Sequence, residues 1–72
     1  MIGSAIRSCR KRRGLSQVAL AEVTGMGRTQ LSHLENGKKQ PTLRTIARLA
    51  KGMKMRPSEI LKQQEWMEAH NQ

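Results

Sequence analysis

Apolar positions in this chain recur three and four residues apart, in short runs that glycines interrupt. Ile2, Ile6 and Cys9 share one helical face, which predicts a first helix over 3–13 closed by Gly14 in a left-handed cap. The cations Arg10, Lys11, Arg12 and Arg13 in its last turn oppose the negative end of the helix dipole. Ser16 is an N-cap type for a second helix over 17–24, with Leu20 and Ala21 facing inward and Gly25 ending it. A third helix over 28–35 stops at Asn36-Gly37. Thr42 can cap a fourth, 43–52, in which Leu43, Ile46, Leu49, Ala50 and Met53 trace one face. Pro57 opens a fifth, 57–68, with Glu59 in its first turn. The expected fold class is all-α: a compact five-helix bundle in one domain over 1–65, followed by a tail over 66–72.

Composition agrees with this reading. Among 72 residues there is no Phe or Tyr, one Trp and five Met, so aliphatic side chains and thioethers must fill a small helical core. The single cysteine, Cys9, cannot form an intramolecular disulfide and suits a reducing compartment. No apolar run is long enough for a membrane helix or a signal-peptide core.

Charge changes the picture more. The formal net charge is +9, unevenly spread: residues 1–56 carry a net +11 and residues 57–72 a net −2. A basic body this small implies a polyanionic partner, nucleic acid first.

Residues 15–37 sharpen that implication. Two helices of about two turns each, joined through Gly25, must cross steeply; Ala21 supplies a small residue at the crossing and Met26 an apolar plug after it. On the third helix, Arg28, Thr29, Ser32, His33 and Asn36 occupy one side, while Leu31 and Leu34 lie opposite. One face is thus aliphatic, and the other offers a guanidinium, hydroxyls, an imidazole and an amide, a surface of the size that enters a DNA major groove about 12 Å wide.

Ser16-Gln17, Leu20-Ala21, Gly25, Leu31, Leu34-Glu35-Asn36-Gly37 and Pro41 together resemble the helix-turn-helix of the phage repressor and Cro type. This lambda-repressor-like group is also called the xenobiotic-response-element family, and the likeness covers about residues 2–61. The resemblance implies that 28–35 is a recognition helix, with Arg28 and Thr29 pointing into the groove and Ser32 and His33 one turn on. It further implies that Gln17 binds backbone phosphate, and that Asn36, Lys38, Lys39 and Arg44 do so around the following loop. Three positions depart from the family pattern. Gly27 and Arg56 stand where Ser or Thr caps are usual, and His33 where Arg, Lys or Gln is common.

Other residues read more plainly. Glu35 is expected to pair with Arg10 rather than touch DNA, because phosphate repels a carboxylate. Arg12, Arg13, Arg48, Lys51 and Lys54 read as a solvated basic face, Cys9 and the methionines as core, and His70 as without a role. No second soft ligand stands near either histidine, so no metal is expected. Trp66 either closes the monomer core or, the preferred reading, packs with Ile60 across a two-fold axis. The resulting expectation is a cytoplasmic, nucleoid-associated transcription regulator that binds a palindromic operator in double-stranded DNA as a homodimer. A phage repressor, an antitoxin and a restriction-modification controller all suit the pattern. No enzyme activity, cofactor, membrane contact or small-molecule ligand is expected. The alternative is a protein-interaction adaptor using the same fold.

Overall fold

A computed structural model describes residues 1–70, which form α1 (Ile2–Arg12), α2 (Gln17–Thr24), α3 (Arg28–Glu35), α4 (Leu43–Gly52) and α5 (Pro57–His70). α1 lies between α5 and α3, α2 packs on α3 and α4, and α4 also meets α5. Ile6, Leu20, Leu31, Leu49, Met53 and Ile60 fill the shared interior. Burying each aliphatic side chain of this size contributes about 1.5–3 kcal/mol, which is what holds helices too short to persist alone.

Local chemistry places the helix starts. The Ser16 hydroxyl accepts from the Ala19 N–H at 3.0 Å, and the Thr42 hydroxyl from the Thr45 N–H at 3.1 Å. Arg56 cannot cap α5 with its own side chain; instead the Glu59 carboxylate reaches back to the Arg56 N–H at 3.0 Å.

The ends of α1 to α4 share one device, in which two backbone N–H groups fold back onto the last carbonyls. The outer bonds run from Leu15 to Arg10, Met26 to Ala21, Lys38 to His33 and Met55 to Ala50, at 2.9–3.1 Å. Each needs a left-handed residue one position earlier. Gly14, Gly25 and Gly37 supply it at φ 70°, 72° and 76°, but after α4 the position belongs to Lys54, at φ 56°. A side chain in that region costs roughly 1–2 kcal/mol, partly offset by the larger unfolded-state entropy of glycine. Lys54→Gly is therefore expected to raise stability by up to about 1 kcal/mol and the melting temperature by a few degrees. An unchanged or lowered melting temperature would refute it.

Two expectations about the helices need correction. Leu43 is not on the buried face: it is 78% exposed, because it precedes the turn of α4 that meets the body, and the apolar stripe begins at Ile46. The fifth helix does not stop at 68. α5 continues to His70, whose ring stacks on Trp66 one turn earlier at 4.1 Å between centroids. Of the expected tail 66–72, residues 71 and 72 lie outside the described residues.

Candidate nucleic-acid interface

The α2–α3 junction is held from three directions. The Thr24 hydroxyl, buried, donates to the Leu20 carbonyl at 2.7 Å, Met26 plugs the space beneath, and Arg48 Nε donates to the Thr24 carbonyl at 2.7 Å. Arg48 is thus no free member of a solvated face; it reaches from α4 to satisfy the C-terminus of α2. Gly27 precedes α3 without any side-chain cap.

On α3, Leu31 and Leu34 are buried, whereas Arg28 and Thr29 are exposed and Ser32 and His33 half-buried. Gln30 is exposed too, a side chain the pattern had not singled out. The other end of the helix is held by close approach to α1. A Cβ on Gly3 would overlap the Leu34 carbonyl oxygen and stand 2.8 Å from that of Glu35. No larger residue lets α1 come so near.

Glu35, only 1% exposed, is the hub behind this surface. Arg10, expected as its partner, holds it through two bonds, Nε to Oε2 at 2.6 Å and Nη2 to Oε1 at 3.0 Å. Arg10 Nη1 also donates to the Leu15 carbonyl at 2.8 Å, tying the turn after α1 into the cluster. Gln17 Nε2 donates to Glu35 Oε1 at 3.0 Å, and Arg7 Nε approaches the same oxygen at 3.4 Å. Burial alone raises the carboxyl pKa. The hydrogen bonds from Arg10 and Gln17, the charge of Arg10 and the bond from Arg7 outweigh it and hold Glu35 below its ordinary value.

The residues expected at phosphates fall into two groups. Lys38, Lys39 and Arg44 are exposed around the α3–α4 connection. Gln17 and Asn36 are instead partly committed within the protein. Gln17 spends one amide N–H on Glu35. Asn36 accepts from Arg7 Nη2 at 2.6 Å through Oδ1 and donates from Nδ2 to the Ser32 hydroxyl at 3.3 Å. Each amide keeps one further N–H for a ligand. Arg7 was missed in the sequence, although it stands one turn before Arg10 on the same helix. Arg48 carried no sequence signal, since its role depends on how α4 crosses α2.

Ile60 and Trp66 do not act together. Ile60 is fully buried in the monomer core, where α5 meets α1 and α4, so its side chain is unavailable to a partner. Trp66 is 57% exposed and does not close the core; it lines a shallow groove with Arg12, Arg13, Met55 and Glu59. His70, expected to be idle, stacks on it. Cys9 is buried as a free thiol. Among the described residues, no three His, Cys, Asp or Glu side chains group as for a metal ion, and no helix is long and apolar enough to cross a membrane.

A short helix with an exposed polar face, braced at both ends and joined through a tight turn to a second, defines a helix-turn-helix domain. The chain belongs to the helix-turn-helix family, whose model matches residues 6–60. It is 41% identical over 49 residues to the ImmF control region 10 kDa protein of Bacillus phage phi105, across 68% of this chain and 54% of that protein. The chain therefore spans about half the length of this phage relative. Its fold is similar to that of the restriction-modification controller protein C.AhdI from Aeromonas hydrophila, with a TM-score of 0.78 and 32% identity over 82% of this chain and 89% of that one. It is also similar to the clp gene regulator ClgR from C. glutamicum, with a TM-score of 0.83 and 27% identity over 86% and 80% of the two chains.

Proposed function

We propose that this chain is a sequence-specific transcription regulator that binds a two-fold symmetric operator in double-stranded DNA as a homodimer, through α3 in the major groove. The observation that carries the reading is the exposed polar face of α3 on a helix whose opposite side is locked into the core. Arg28 is the principal base reader, its guanidinium matching guanine O6 and N7 together; Thr29 offers a methyl to thymine, and Ser32 and His33 extend the surface by a turn. Lys38, Lys39 and Arg44, with the remaining N–H groups of Gln17 and Asn36, hold the phosphates and set register. The net charge of +9 supplies long-range attraction. The resemblance to a phage control-region protein and to a restriction-modification controller supports regulation rather than catalysis. Acting on DNA, the protein works in the cytoplasm at the nucleoid. The exposed Trp66 supports a partner surface on α5, and a second copy of the chain is the occupant that a symmetric operator requires.

Selection from a randomised duplex pool at near-physiological salt tests this. The expected result is a palindrome whose half-sites are centred about 34–36 Å apart. Retention without enrichment, fading as salt rises, would reduce Arg28 and Thr29 to backbone contacts. A protein captured at Trp66 in its place would favour the adaptor.

A further inference from the structure

We propose that Arg7, on α1 and outside the recognition helix, is a positioning residue that sets the hydrogen-bond polarity of the base-reading surface and makes Ser32 a donor. The inference deepens the DNA-reading function above and rests on it.

The geometry is a chain of one-way hydrogen bonds. Arg10 fixes the buried Glu35 carboxylate, and that carboxylate holds the Arg7 guanidinium through Nε at 3.4 Å. Arg7 Nη2 donates to Asn36 Oδ1 at 2.6 Å. A guanidinium has no acceptor, so the amide oxygen must face it; flipping Asn36 would set N–H against N–H. The amide nitrogen is thereby turned toward Ser32 and donates to its hydroxyl at 3.3 Å. With one lone pair of its oxygen occupied by the Asn36 N–H, the Ser32 hydroxyl directs its own hydrogen away from Asn36 and keeps one lone pair free.

A free serine hydroxyl accepts or donates and so discriminates bases poorly. One held as a donor seeks acceptors in the major groove: guanine O6 and N7, adenine N7 or thymine O4. Cytosine, which presents only an amino donor there, meets just the one remaining lone pair and is the weaker match. Arg7 therefore contributes to sequence preference without touching DNA.

The test compares pool selections for the wild type, Ser32→Ala and Arg7→Lys, with melting curves confirming that each variant is folded. Arg7→Lys keeps the charge, but a single ammonium cannot hold Glu35 and Asn36 in the same fork. Ser32→Ala identifies the base position that Ser32 reads. Arg7→Lys is expected to relax the preference at that position by about fivefold or more, the scale of a single base contact. It should leave the Arg28 position unchanged and add nothing in the Ser32→Ala background. Asn36→Asp is a second variant that keeps Arg7. An aspartate has only acceptors, so the Ser32 hydroxyl must turn its hydrogen inward, and the same position should shift toward cytosine. An unchanged profile, or an even loss across all positions, in both variants overturns the assignment to Arg7 alone. Absence of any operator with the wild type overturns the regulator reading and this one with it.

Discussion

Glu35→Ala is expected to lose about 3–5 kcal/mol of stability, because it strands the Arg10 guanidinium in the interior with no counter-charge. A domain of this size is stable by only a few to about ten kcal/mol, so the variant should be partly unfolded at room temperature, as a urea or thermal melt would show. Two further observations separate the ion pair from mere packing. The double variant Arg10→Met with Glu35→Leu replaces both charges by apolar groups and should recover part of the loss, since no buried charge is then stranded and the groups that lose a partner, the Leu15 carbonyl, the Gln17 amide and Arg7 Nε, are only partly buried. The pH dependence gives the second. Folding holds the Glu35 pKa below its ordinary value of 4.5, so its contribution is fully present above that value and is lost as pH falls through the lower folded-state value. The wild type should therefore lose stability on acidification below about pH 4.5, and the double variant should lose less. Equal acid sensitivity in the two proteins would refute the role assigned to Glu35.

Arg28→Ala should act on recognition and leave folding alone. The side chain is exposed at the first position of α3. Losing a bidentate contact to guanine costs roughly 1–3 kcal/mol, or about 5- to 150-fold in operator affinity. Binding to a scrambled duplex should fall far less, because Lys38, Lys39, Arg44 and the remaining basic face still neutralise phosphates. Competition titrations with the two duplexes at one salt concentration measure the ratio. An equal loss on both would make Arg28 a phosphate contact. The melting temperature should stay within the small range usual for surface substitutions.

These two variants mark different depths of legibility in the sequence. Arg28 could be placed on the polar side of a helix by spacing alone, because a helix turns by a fixed angle per residue and Leu31 and Leu34 set the opposite side. The Arg10–Glu35 contact joins residues 25 positions apart and was expected only because a carboxylate near phosphate needs a partner. The folded chain goes beyond that pair, bringing Arg7 and Arg10 of α1 and Gln17 of α2 to the Glu35 carboxylate, and Arg7 to the Asn36 amide as well. Arg48 and Lys54 show the same limit from opposite sides. Both read as solvent-facing cations; one caps α2 and the other carries the left-handed turn after α4.

What the sequence determined by itself is whatever depends on neighbours within about two turns. The number and order of the helices, the Ser16 and Thr42 caps, the glycine stops and the two faces of α3 all follow from backbone geometry that each short segment imposes on itself. What only the tertiary structure decided is which side chains survive as surface once five helices have met. Ile60 went inward, Leu43 and Trp66 stayed out, and Asn36 acquired a fixed orientation from Arg7 on another helix. Those outcomes turn on crossing angles and close approaches such as that at Gly3, and a crossing angle is a property of two helices together.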